Sequence, residues 1–101
     1  MTIIFSVKEL DEFSIVSGVI PGDGVLDPSE LKDIEVPTVP AHKGVVLDGR
    51  MPIWAYARLL HQYHPTAWVA VHAPRDGGAI VVQRHVPNAP AIGAIVPLPK
   101  E

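Results

Sequence analysis

The run Lys43-Gly44-Val45-Val46-Leu47-Asp48-Gly49-Arg50-Met51-Pro52-Ile53-Trp54 decides the fold. Residues 44–47 are apolar and largely β-branched, the signature of a strand covered on both faces. The strand stops at Gly49, and Pro52 presets the backbone for a first helical turn. From Pro52 to His64 the apolar residues Ile53, Tyr56, Leu59, Leu60 and Tyr63 recur every three or four positions. That period predicts an amphipathic helix of about three turns, closed by Pro65. Trp68-Val69-Ala70-Val71 is a second apolar strand, so residues 43–72 read as strand, helix and parallel strand joined by a right-handed crossover. Ligands of such units sit beyond the carboxyl ends of the strands. Asp48, Gly49 and Arg50 fall at one such tip, and His72, Ala73 and Arg75 at its neighbour's. A helix that starts just after a glycine turn also presents unpaired N–H groups and a positive dipole end to phosphate.

Upstream, residues 2–8 and 13–20 are rich in β-branched and aromatic side chains and predict a hairpin, ended by Pro21-Gly22-Asp23-Gly24. Asp27-Pro28-Ser29-Glu30 carries a helix start, with Asp27 as N-cap, Pro28 at the first position and Glu30 three residues after the cap. Pro37 and Pro40 keep that helix short, and residues 36–42 form a connector. Downstream, residues 73–78 read as a turn, residues 79–82 as a strand pairing back, and residues 92–96 as a short strand at a sheet edge or a subunit contact. No repeat or second domain interrupts the single domain expected over residues 1–101.

Composition narrows the function. A chain of 101 residues that is 48% apolar builds one core but no deep private site, so a site shared across a dimer is expected. No apolar stretch approaches the roughly 20 residues of a membrane span, and the N-terminus lacks an export signal. With no cysteine, thiolate metal sites and disulfides are excluded, and a cytoplasmic setting is the expectation. The net charge of −3 argues against a protein that coats duplex DNA or long RNA. A short or cyclic nucleotide needs only a local positive pocket. Arg50, Arg58, Arg75 and Arg84 all lie between residues 50 and 84, whereas eight of the eleven acidic residues lie between Glu9 and Glu35.

Four of the five histidines fall between His61 and His85. His61 and His64 are three apart on the helix, so both can face one metal; at a helix C-terminus they can equally complement the dipole. His85, after an apolar strand, reads as structural or catalytic. His72 reads as packing at a strand end, and His42 as solvated. Trp54 and Tyr56 fit core and interface packing better than base stacking. Arg75 beside glycines, Gly77 among them, reads as a surface charge or as part of an anion-binding nest.

Lys43-Gly44-Val45-Val46, Gly49-Arg50-Met51-Pro52-Ile53-Trp54, His61-Gln62-Tyr63-His64, Trp68-Val69-Ala70-Val71, Pro74-Arg75 and Val81-Val82-Gln83-Arg84-His85, in this order, resemble the CRISPR-associated ring nuclease 3 family, most closely over residues 30–85. The resemblance implies a reduced CRISPR-associated Rossmann-like α/β fold, a mixed sheet flanked by two helices, working as a homodimer in type III CRISPR defence. It implies binding of cyclic tetra-adenylate and its manganese-dependent hydrolysis, by dimers that stack head to tail around the ring and can extend into filaments. Trimming of RNA tails is also associated with that family.

Position by position, the resemblance implies a catalytic histidine at His64 with His61 near the metal, a phosphate-binding arginine at Arg75, a further site histidine at His85, and phosphate contacts around Gly49, Arg50 and Gly77. Two departures stand out. Ala73 occupies the place of a family aspartate used in metal binding and cleavage, and Asp48 stands where the family has serine. Asp48, across from Ala73 on the neighbouring strand, or Asp76 in the turn, is the expected replacement carboxylate for Mn2+ or another divalent ion. The alternatives are a sensor or sponge that binds the ring without cutting it, and an exoribonuclease acting on RNA tails.

Overall fold

In the computed structural model, which describes residues 2–99, six strands form one mixed sheet in simple sequence order. They are β1 (Ile4–Glu9), β2 (Phe13–Val19), β3 (Gly44–Asp48), β4 (Trp68–Ala73), β5 (Gly78–Arg84) and β6 (Ile95–Val96). The pairs β2–β3 and β3–β4 are parallel and the other three are antiparallel. Helix α1 (Ile53–Gln62) provides the β3–β4 crossover, and a 3-10 segment, Pro28–Asp33, lies in the β2–β3 crossover. Met1, Lys100 and Glu101, the ends of the expected domain, lie outside the described residues.

Alternation along the strands builds two apolar layers. Val16, Val45, Leu47 and Val69 pack on one face with Ala55, Leu59 and Tyr63 of the α1 segment and with Leu26 and Ile34 of the β2–β3 crossover. Phe13, Val46, Trp68, Ala70, Ala79 and Val81 point the other way, where Val86, Ala89 and Leu98 of the C-terminal tail cover them. Both faces of the central strands are therefore buried, which is why β3 and β4 read as unbroken apolar runs.

The parallel unit, the N-terminal hairpin and the Asp27 cap appear as expected, with adjustments. The capping box is formed, Asp27 accepting from the Ser29 N–H at 2.9 Å and Glu30 from the Asp27 N–H at 3.0 Å. The segment it starts is one short 3-10 stretch rather than an α-helix, the tighter form that short segments adopt. Helix α1 ends at Gln62, two residues before His64. β4 runs on to Ala73, so His72 is a strand residue rather than a strand end. β6 is only Ile95–Val96, cut short by Pro97. Strand order never reverses along the sheet, so the parallel strands offer no switch-point crevice.

Two packing contacts carry measurable consequences. A Cβ at Gly44 would lie 2.0 Å from the Trp68 ring, which rests on the glycine and tilts against Phe13 with ring centroids 5.7 Å apart. Gly44→Ala must displace that ring, and overpacking of this kind costs about 1–3 kcal/mol. Urea unfolding should show that loss with an unchanged slope. Tyr63 donates its hydroxyl to the Pro37 carbonyl at 2.6 Å, tying the connector to the end of α1. Burial pushes the Tyr63 phenol up to about 12 from 10.0. The unfolded chain therefore loses this proton first, so the stability Tyr63 contributes is complete below about pH 10 and is lost as pH rises toward 12. Tyr63→Phe should lose about 1 kcal/mol at neutral pH and show a flatter alkaline limb in a melting-temperature series.

Candidate functional site

The register of the parallel strands places a row of polar side chains across the sheet. Ser6 pairs with Ser17, and Ser17 with Asp48. Leu47 pairs with Val71, so the next step along β3 and β4 sets Asp48 beside His72, which itself pairs with Ala79 on β5. By alternation these residues share the face of Val46 and Ala70, one step beyond where the apolar layer stops. The Asp48 carboxylate accepts from His72 Nδ1 at 2.8 Å and from Ser17 Oγ at 3.4 Å. A carboxylate only accepts, so the shared hydrogen belongs to Nδ1. Nε2 has no hydrogen bond to a described residue. Ser6, Lys8, Ser17, Asp48, His72 and Gly77 are among the residues lining a concavity of about 610 Å³.

A second depression of about 500 Å³ shares Ser17 and Asp48 and extends to Gly18, Asp23, Gly49 and Arg50. Gly49 has φ +120°, and a Cβ there would lie 2.0 Å from the Gly18 carbonyl oxygen. Only glycine lets the exit of β3 pass so close to β2. Tyr56, on the second turn of α1, donates its hydroxyl to the Gly49 carbonyl. Burial and, secondarily, the charge of Asp48 push that phenol up, which keeps it a donor. Pro52 heads α1 with no side-chain cap; the Ala55 and Tyr56 amides donate to its carbonyl, and those of Ile53 and Trp54 have no partner within the helix.

Arg75 and Asp76 are exposed in a second 3-10 turn, Pro74–Asp76, which ends at Gly77 in the left-handed region. The Gly77 N–H donates to the Pro74 carbonyl at 3.3 Å. An anion held in this turn therefore relies on other amides and on the Arg75 guanidinium.

The remaining candidates lie at the opposite end of the sheet. His64 and His85 meet edge to face, with ring centroids 4.5 Å apart. His64 Nδ1 lies 3.4 Å from Gln83 Oε1, and His85 Nδ1 lies 3.2 Å from the Thr66 carbonyl oxygen. His61 is exposed in the last turn of α1. β4 separates this end from the carboxyl tips, and its five residue steps span roughly 17 Å. Asp48, Gly49, Arg50, Arg75, Asp76 and Gly77 are thus gathered at one end, and His61, His64 and His85 at the other. Among the described residues, no three His, Asp or Glu side chains converge to hold a metal ion. The set His61, His64 and Asp76 does not fit a metal within one chain.

Asp48 does not stand in for a side chain at position 73. Ala73 follows Val69 and Val71 on the α1 side of β4 by alternation, whereas Asp48 emerges on the other face. Its charge is met by His72 and Ser17 rather than by Arg50. Reading His72 as packing misses this pair, yet counting one step past Val46 and Ala70 on two parallel strands is enough to find it.

A profile of the CRISPR-associated protein family Cas_csx3 matches residues 19–97. An uncharacterized protein of Aquifex aeolicus (strain VF5) is 42% identical over 89 residues, covering 83% of this chain and 78% of that protein.

The Asp48 contact fixes the imidazole tautomer. Long-range 15N–1H correlation spectra at neutral pH should show His72 carrying its hydrogen on Nδ1. In Asp48→Ala the hydrogen should move to Nε2, the usual tautomer of a free histidine; an unchanged pattern would disprove the assignment.

Proposed function

The chain belongs to the CRISPR-associated Cas_csx3 family, and from that premise we propose that it binds cyclic tetra-adenylate and hydrolyses its phosphodiester bonds, ending a type III CRISPR defence signal. The observation that carries this reading is the gathering of phosphate-holding groups at the carboxyl tips of parallel strands. Arg50 lines one of two concavities that share Ser17 and Asp48, Lys8 and the Pro74 and Gly77 ends of the Arg75 turn line the other, and the uncapped start of α1 follows two residues after Arg50. Guanidinium groups and helix amides neutralise phosphate charge in this way.

The fold on this reading is a reduced CRISPR-associated Rossmann-like domain that works in the cytoplasm as a homodimer. The separation of the histidines from the carboxyl tips matches a head-to-tail stack, in which His64 and His85 of one copy face the ring held by the next. Only such a stack brings His61 and His64 toward Asp76, so manganese on this reading is bound between copies. Ala73 supports a second reading, a sponge or sensor that holds the ring uncut. The net charge of −3 weighs against a nuclease acting on long RNA tails.

Titration calorimetry with cyclic tetra-adenylate, followed by product analysis with and without Mn2+, tests the proposal. Binding should weaken about tenfold in Arg50→Ala and in Arg75→Ala, as expected for a lost charge-assisted contact. Linear products identify a nuclease and an intact bound ring identifies a sponge. Absence of binding by the wild type would contradict both.

A further inference from the structure

The two crossovers shelter only part of the sheet. On the α1 side, the strand residues that enter the apolar layer come from β1 to β4, and β5 and β6 contribute none. That side of β5 and β6 is nevertheless apolar. Val71, Ile80 and Ile95 pair in register across β4, β5 and β6, so the three share one face. Val82 lies two residues further along β5, on the same face by alternation, and Ile92 stands in the turn that leads into β6. Among the described residues, Ile80, Val82, Ile92 and Ile95 join neither apolar layer. Val82, Ile92 and Ile95 leave 43%, 59% and 52% of their surface open. An open strip of branched aliphatics on so small a chain marks a contact surface.

Resting on the homodimer of the reading above, we propose that this strip is its interface and that the occupant is the same strip of a second copy. Charge selects that occupant. From Gly78 to Gln83 and over Ile95–Val96 the two strands carry no charged residue. A two-fold contact sets each residue near its own copy, so a charge there would meet its like. Eight of the eleven acidic residues lie between Glu9 and Glu35, outside the strip.

Helix α1 fixes the axis. With the two strips face to face about an axis running across the strands, each α1 would occupy the place of the other copy's β3 and β4. About an axis running along the strands, each α1 lands beyond the other copy's β6, beside the edge that this two-residue strand leaves open. A stable dimer buries roughly 800 Å² per copy, about an eighth of the 6270 Å² accessible surface of the chain. The strip alone is too narrow for that, so the flank of α1 belongs to the contact. Such an axis gathers the carboxyl tips of both copies at one end and both His64–His85 pairs at the other. The turn that carries Arg75 joins β4 to β5 beside the axis, so each copy adds its guanidinium to the same end.

Sedimentation equilibrium of the full chain, with no nucleotide or metal added, tests the interface. The wild type should sediment as a dimer. Ile95→Lys and Val82→Lys should each raise the dissociation constant about 30-fold or more, the loss of an interface hot spot, with far-ultraviolet circular dichroism unchanged. Ile4→Lys, which alters an isoleucine 60% exposed on β1, should leave the dimer as it is. Because the chain has no cysteine, Ile95→Cys introduces a single thiol, and a short bis-maleimide should join two copies through it but not through Ile4→Cys. That readout serves even if the lysine variants fold poorly. A dimer that withstands both lysine variants, or that fails to crosslink through Ile95→Cys, would overturn the interface while the homodimer stands. A wild type still monomeric at about 100 µM would remove the homodimer and the interface together, leaving the strip to a different partner. None of these outcomes depends on whether cyclic tetra-adenylate binds, which calorimetry decides separately.

Discussion

Parallel pairing of β2, β3 and β4 is the constraint on which everything else rests. Side chains alternate with a period of two along each strand, so one register decides at once which residues enter the two apolar layers and which polar groups line up beyond them. With Val46 beside Ala70 and Leu47 beside Val71, Asp48 must fall beside His72 and Ser17. A slip by one residue would bury the carboxylate under α1 and expose Leu47. The cohesion of the core thus enforces the geometry of the site.

The same pairing explains why the candidate chemistry is divided between two ends. Each crossover returns the chain to the amino end of the next strand, so the last turn of α1 delivers His61 and His64 there, and β5 returns to the same end with His85. The connections leaving β3 and β4 place Arg50 and Arg75 at the opposite tips. A sheet this small cannot fold its two ends together. Groups from both ends act on one ligand only if a second copy brings its own, which is the physical case for an assembly rather than a self-contained pocket.

Much of this is legible in the residues. The apolar runs, the helical spacing after Pro52 and the cap at Asp27 each carry a local signal that tertiary packing reinforces. The placement of Gly49 and Arg50 after one strand tip and Arg75 after the neighbouring one comes from the crossover alone. The separation of His64 from Asp76 is not legible, because motif order along a chain says nothing of which end of a sheet a residue reaches. The Asp48–His72 pair is hidden only in part: each residue lies one same-face step past Val46 or Ala70, but the register that sets the two side by side is fixed by pairing rather than by either run. The 3-10 form of Pro28–Asp33 and the brevity of β6 depend on where neighbouring prolines let the chain pack, which local propensity does not encode.

The central claim is that the carboxyl tips of the parallel strands hold the polyphosphate ring. A crystal structure of the chain with cyclic tetra-adenylate tests this most directly. The account predicts ring phosphates against Arg50 and Arg75, with the His64–His85 pair of a second copy on the far side of the ring. A ring seated only on His64 and His85, with the concavity beside Asp48 left to solvent, would contradict it.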